Sequence, residues 1–251
     1  MDKNSQKTAD FGYQQVPWSE KVAQVDQVFS SVAGKYDLMN DLMSFTLHRL
    51  WKSFTIGLSH IRPGQHVLDL AGGSGDLTQK IANKVTETGH VYLADLNAAM
   101  LTAGRDRLIN VGLINNISYI QTNGEALPFA DNVFDCVTIA FGLRNITDKS
   151  AALRAMCRVL KPGGKVLILE FSQAAYPWLQ SIYDAYSFYV IPRLGKLITG
   201  DPQSYQYLVE SIRMHPNQQA LKEMIEKAGF EDCNYHNLNG GIVALHQAYK
   251  Y

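Results

Sequence analysis

The sequence predicts an α/β fold: a mostly parallel sheet wrapped by helices and finished by an antiparallel hairpin. Three observations carry that prediction. The stretch His66–Thr78 reads as a short apolar strand, a glycine-rich turn and the start of a helix. Strand-like and helix-like patterns then alternate as far as Phe171, which implies parallel strands joined by right-handed crossovers. Near the C-terminus, two strand-like runs flank Gly240-Gly241, a hairpin signal.

Residues 1–19 are polar, contain Pro17, and are expected to form a loose arm. From Glu20 to Trp51 the pattern is helical. Val22, Val25, Val28, Phe29 and Val32 recur at helix spacing, and Leu38, Met39, Leu42 and Met43 continue it. Residues 1–60 are thus a helical N-terminal extension, and 61–251 the main domain. Strand His66–Leu70 leads to a helix over 76–85, and strand His90–Asp95 to a helix from Asn97 to about Val111. Strand Ile117–Gln121 leads through a loop to strand Cys136–Ala140. A helix from Lys149 to Leu160 is expected to stop at Lys161-Pro162-Gly163-Gly164, before strand Lys165–Phe171. Between 172 and 216 the alternation gives way to an aromatic-rich, helix-like cap. A helix from Gln218 to Ala228 ends at Gly229, and strands Glu231–Asn237 and Ile242–Ala248 form the hairpin.

The 251 residues suffice for one large domain with a cap. Basic and acidic residues balance at 23 each, so the basic excess of a nucleic-acid binder is missing and no such partner is expected. Cys136, Cys157 and Cys233 share no metal-ligand spacing, which predicts reduced thiols and no metal. Met1–Ala9 lacks the apolar core of a signal peptide, and no apolar run reaches the ~18 residues of a membrane span. A cytoplasmic protein is expected, with attachment at a membrane surface left open.

The candidate site follows from the strand ends. Glycines let the loop at Gly72, Gly73 and Gly75 take positive φ and admit a ligand closely, and the helix N-terminus behind it offers free N–H groups. Asp95, ending the second strand, suits a pair of ribose hydroxyls, although a helix-capping acid would look the same. Asn123-Gly124 after the third strand suits adenine, with a plain turn as the alternative. Ala140 after the fourth offers only backbone or packing contact. The dinucleotide fingerprint fails, because Thr78 stands where its third glycine belongs. The form D-x-A-x-G-x-G from Asp69 through Gly73, Ser74 and Gly75 resembles motif I of class I S-adenosylmethionine (SAM) methyltransferases. Another nucleotide and a purely structural turn are the competing readings. The methyltransferase reading makes the fold Rossmann-like, with seven strands and the C-terminal hairpin.

A narrower resemblance extends from about Phe11 to Tyr251. Tyr36-Asp37-Leu38-Met39-Asn40-Asp41-Leu42-Met43-Ser44 with His48-Arg49-Leu50-Trp51 is similar to the first signature of the UbiE family, the C-methyltransferases of ubiquinone and menaquinone biosynthesis. Arg158–Gly164 through Glu170-Phe171-Ser172 resembles its second, and Phe141–Asn145 and Arg213-Met214-His215-Pro216 also match. Three departures stand out: Ser74 for threonine, Ala140 for serine, and Thr46 for a small residue, usually glycine.

The resemblance implies methyl transfer from SAM to a ring carbon of a polyprenylated quinol, without a metal. It leaves room for peripheral contact at the inner face of the membrane, for a quinone-biosynthesis complex and for a dimer. A phenol has a pKa of roughly 10, so the site must favour its anion. Arg144 is a poor base and is assigned to stabilising the developing oxyanion, with a loop-anchoring salt bridge as the alternative. Asn145 can orient the same oxygen. Tyr36 and Asp37 are candidates for positioning the acceptor or removing its proton, and His48 is a base by type. The cap aromatics of Tyr176–Ile198, with Arg193 and Lys196, read either as core filling or as an interfacial set. Competing functions are methylation of another small lipid acceptor, a SAM-binding scaffold subunit, and a dehydrogenase.

Overall fold

The computed structural model describes residues 7–32, 40, 41, 44, 46–190, 193 and 202–251. Seven strands form one sheet: β3 (His66–Leu70), β4 (His90–Asp95), β5 (Ile117–Gln121), β6 (Phe134–Ala140), β7 (Leu160–Phe171), β8 (Glu231–Leu238) and β9 (Val243–Tyr249). Their order is β5-β4-β3-β6-β7-β9-β8. The first five strands are parallel, and β9 runs antiparallel to both β7 and β8. This is the architecture the sequence predicts.

Successive side chains leave a strand on opposite faces, so neighbouring residues serve different cores. Val67, Val91, Leu93, Leu167 and Leu169 pack with α3 (Asp76–Val85), α4 (Ala98–Asn110) and two N-terminal helices, α1 (Trp18–Val32) and α2 (His48–Ser59). Leu68, Leu70, Val137, Ile139 and Ile168 pack with α5 (Lys149–Val159) and with the helix Gln218–Lys227. The cap supplies α6 (Pro177–Ala185), a π turn at Tyr186–Val190, and α7 (Pro202–Arg213), which makes the Gln218–Lys227 helix α8. Asn97, Asp148 and Asn217 start α4, α5 and α8 by accepting the N–H of Met100, Ala151 and Ala220 at 2.8, 2.9 and 2.9 Å.

The N-terminal arm is not loose. β1 (Thr8–Phe11) and β2 (Gln14–Pro17) pair antiparallel around a Gly12-Tyr13 tip. Distant contacts hold this hairpin. Phe11 stacks on Tyr207 of α7 with ring centroids 4.3 Å apart, and the Tyr13 N–H donates to Glu210 at 3.0 Å. The Lys161–Gly164 run does not interrupt β7 either. Leu160 pairs with Phe134 before a register shift, and the Gly163 N–H donates to the Lys250 carbonyl at 2.6 Å. Proline is tolerated there because the ladder is already displaced. The second hairpin strand is shifted by one residue from the expected bounds. Leu38, Met39, Leu42 and Met43 lie outside the described residues. Thr46 takes φ 64°, a left-handed conformation that suits the glycine expected there better than a β-branched residue.

Gly75 holds φ 77° at the entrance to α3, and a Cβ on it would lie 2.9 Å from Leu108 Cδ1. Gly75→Ala is therefore expected to cost about 2–4 kcal/mol of stability through backbone strain and overpacking. The urea midpoint of the variant measures this.

Candidate active site

The loops after β3, β4, β5 and β6 diverge and leave a cleft at their carboxyl ends, with an empty volume of about 760 Å3 that includes space open to solvent. The cleft brings Gly73, Asp95, Asn123, Gly124 and Asn145 together. Asp95 is its hub. One carboxylate oxygen accepts the Gly73 N–H at 2.9 Å and the other accepts the Asn97 N–H at 2.9 Å. Burial raises its carboxyl above the usual range, and these N–H groups work against that rise. The Leu96 N–H also bonds this carboxylate, whose remaining lone-pair capacity is open to a ligand hydroxyl. Asn123 Oδ1 accepts the Glu125 N–H at 3.0 Å, which leaves its Nδ2 as a donor. Asn145 Oδ1 accepts the Tyr207 hydroxyl at 3.1 Å, which orients its amide in the same way.

Other expected site residues lie elsewhere. Asp69 is 1 % exposed beneath the loop, where it accepts the hydroxyls of Thr78 at 2.6 Å and Thr138 at 2.8 Å. It braces α3 against β6 and does not line the cleft. Ser74 is buried and Gly75 shapes the turn; neither lines the cleft. Ala140 packs toward the core, and the following residues Phe141 and Gly142 form the wall. Arg144 is buried against Glu170. Its Nη1 donates to Glu170 Oε1 at 2.8 Å and to the Phe141 carbonyl at 2.5 Å, while its own N–H donates to Glu170 Oε2 at 3.2 Å. This is the loop-anchoring salt bridge, and the charge expected for an oxyanion is already paired. His48 bonds Asp41 Oδ1 at 2.8 Å, away from the cleft, and burial lowers its pKa. Tyr36 and Asp37 lie outside the described residues.

The roof was not foreseen. Val22, Val25, Asp26 and Phe29 of α1 cover the cleft. Asn97 Nδ2 holds them there by donating to Asp26 Oδ1 at 2.8 Å and Ser30 Oγ at 2.7 Å. The signal was present: an acid, Asp26, interrupts an apolar stripe at helix spacing. Gly104 was also missed. A Cβ there would meet the Gly73 carbonyl at 2.7 Å, so only glycine lets α4 approach the loop.

Burial pushes the Asp69 carboxyl up to about 6, against the two threonine hydroxyls that hold its anion. The folded state therefore resists ionisation that the unfolded chain undergoes near pH 4. Stability relative to Asp69→Asn should fall as pH rises from about 4 to about 6, by roughly 3 kcal/mol, and then stay level. Denaturant titrations of both proteins across that range measure the difference, and a flat difference contradicts it.

Comparison with known proteins is consistent with this geometry. The model of the ubiE/COQ5 methyltransferase family matches residues 18–250. The chain is similar to the ubiquinone/menaquinone biosynthesis C-methyltransferase UbiE of Legionella pneumophila (strain Lens), 61% identical over 248 residues and 99% of each chain. It is 59% identical to the UbiE protein of Cronobacter sakazakii (strain ATCC BAA-894) over 100% of both. Among solved structures, a SAM-dependent methyltransferase from Aquifex aeolicus shares the fold at TM-score 0.61 and 17% identity, covering 86% of this chain and 98% of that one. Phosphoethanolamine N-methyltransferase 2 of Haemonchus contortus, in complex with SAM, matches at TM-score 0.60 and 18% identity, over 80% of this chain and 52% of that one. With a family match spanning nearly its whole length, the chain belongs to the ubiE/COQ5 methyltransferase family.

Proposed function

We propose that this chain methylates a ring carbon of a polyprenylated quinol with SAM as donor. Demethylmenaquinol would become menaquinol, and 2-methoxy-6-polyprenyl-1,4-benzoquinol its 5-methyl product. The observation that carries this is the cleft around Asp95 in a chain of this family. Its residues fit the donor. The two Asp95 oxygens suit vicinal ribose hydroxyls, Asn123 Nδ2 suits an adenine nitrogen, and Leu96 and Met100 offer apolar walls to a base. Gly73, without a side chain, lets the rest of the ligand lie against the loop. Bound there, SAM supplies a methyl group on a positively charged sulfur.

The chain's own residues orient the acceptor and keep water away. Tyr207 fixes the Asn145 amide, so Nδ2 can donate to an acceptor oxygen. Phe29 and Phe141 close the apolar side. The Arg144–Glu170 pair holds the turn that carries Asn145. Tyr36 and Asp37 are assigned to positioning the acceptor or taking its proton on family resemblance alone. Within the N-terminal extension, helix α1 serves as the roof of the cleft.

The cap divides its aromatics between two tasks. Tyr183, Tyr205 and Tyr207 are buried, whereas Tyr176 is 57% and Trp178 and Tyr189 are each 64% exposed. The exposed rings suit a lipid interface, from which a long-tailed quinol would be drawn. No helix among the described residues is long and apolar enough to cross a membrane.

The test is anaerobic incubation with methyl-labelled SAM and reduced demethylmenaquinol, read by mass spectrometry. One labelled ring methyl is expected with the quinol and none with the oxidised quinone. SAM binding without transfer to naphthoquinol or benzoquinol would overturn the proposal. Asp95→Ala should weaken SAM binding about 10- to 100-fold by calorimetry, the loss of charge-assisted hydrogen bonds.

A further inference from the structure

The charged residues that line the cleft are all of one sign. Among the described residues, Asp26, Asp95 and Glu125 line it, and no lysine, arginine or histidine joins them. Glu125 is balanced from behind the wall by Lys21 and Lys149, and its Oε1 accepts the N–H groups of Thr147 and Asp148 at 3.2 and 3.0 Å. Asp26 and Asp95 have no such cation. Among the described residues neither enters an ion pair, and the donors to the Asp95 carboxylate are neutral backbone N–H groups.

One asparagine holds these two carboxylates together. Asn97 donates its backbone N–H to Asp95 Oδ1 at 2.9 Å and its side-chain Nδ2 to Asp26 Oδ1 at 2.8 Å. An amide nitrogen has two hydrogens, and the Asp26 carbonyl at 3.1 Å and Ser30 Oγ at 2.7 Å compete for them. Asp26 Oδ1 is therefore only partly satisfied, and Oδ2 makes no hydrogen bond among the described residues. Burial first, and the charge of Asp26 after it, raise the Asp95 carboxyl above the usual range. Two like charges held side by side out of water are costly, and a ligand of opposite charge relieves that cost.

We propose that Asp26 is a specificity residue for the donor: its carboxylate, beside that of Asp95, favours the positively charged sulfonium ligand over the neutral thioether left after methyl transfer. This rests on the reading that the cleft takes SAM. SAM carries one net positive charge, and S-adenosylhomocysteine carries none. The two carboxylates lose their counter-charge as the methyl group leaves, because sulfur keeps the electron pair of the broken carbon–sulfur bond. The spent donor is then held less tightly than it would be without Asp26 in the roof. Asp26 lies on α1, so the helix that covers the cleft also reads the charge of the ligand beneath it.

The experiment is calorimetric titration of the full chain with three ligands that share the nucleoside. They are SAM, S-adenosylhomocysteine, and sinefungin, in which an amine-bearing carbon replaces the sulfonium and keeps a positive charge. Asp26→Asn should weaken SAM and sinefungin about fivefold and change S-adenosylhomocysteine by less than about twofold. This variant keeps an oxygen for Asn97 and removes a like-charge repulsion, so it should fold at least as stably as wild type. Asp26→Glu keeps the charge and should keep the wild-type order of affinities. Ser30→Ala removes another acceptor of Asn97 without changing charge, and should leave the ratios among the three ligands as they are. Equal weakening of all three by Asp26→Asn would overturn the proposal and make Asp26 a hydrogen-bonding partner of the nucleoside. Unchanged affinities would also overturn it. So would Ser30→Ala reproducing the Asp26→Asn pattern, which would assign the effect to the seating of the roof. A wild type that binds none of the three would overturn the SAM reading itself.

Discussion

The structure around the cleft depends on one carboxylate. Asp95 ends β4 with both oxygens inside the protein, and each accepts a backbone N–H from a different segment. Gly73 is thereby held in the loop after β3, and Asn97 at the start of α4. Asn97 in turn caps α4 and reaches up to Asp26 and Ser30 of α1. Loop, helix and roof are thus connected through a single acid at a strand end. A buried carboxylate needs such partners, and these N–H groups have few alternatives, so the arrangement is mutually enforced. A ligand hydroxyl meeting Asp95 would bind a group already ordered, with little further entropy to lose.

A second constraint fixes the opposite wall. Phe141 takes φ 58° as the chain leaves β6, which turns the next residues back over the sheet. The Arg144 side chain clasps the Phe141 carbonyl, and Glu170 on neighbouring β7 clasps Arg144. Breaking such a buried pair costs about 3–5 kcal/mol, because the remaining charge is stranded. The pair therefore serves order in the turn that presents Asn145. Arg144 Nε, also buried, has no hydrogen-bond partner among the described residues, so the guanidinium is not fully used by this pair.

The extension and the cap meet above the cleft through aromatic contacts. Phe11 stacks on Tyr207, and Tyr207 reaches Asn145 with its hydroxyl. The N-terminal hairpin, α7 and the site turn are consequently one unit, although Phe11 and Asn145 are far apart along the chain. Trp51 adds a related tie, donating to Asn239 at 2.6 Å while its ring packs near Phe141 and Phe171. The hairpin between β8 and β9 is thereby joined to the second N-terminal helix.

The sequence alone determined what is local and periodic. Every strand of the sheet, the helices between them and the final hairpin follow from spacing, glycine and capping residues that act within a few positions. Gly73, Asp95, Asn123 and Gly124 were legible for the same reason: a strand end and a glycine turn announce themselves in order. The tertiary structure decided what depends on partners brought from elsewhere. The arm at 8–17 looks loose until Tyr207 and Glu210 arrive from α7. Asp69 looks like a ligand-binding acid until Thr78 and Thr138 close over it. Arg144 looks free until Glu170 comes alongside from β7. Side-chain type and spacing carry no record of such distant neighbours, and in a buried site the neighbours decide which charge is spent and which remains available.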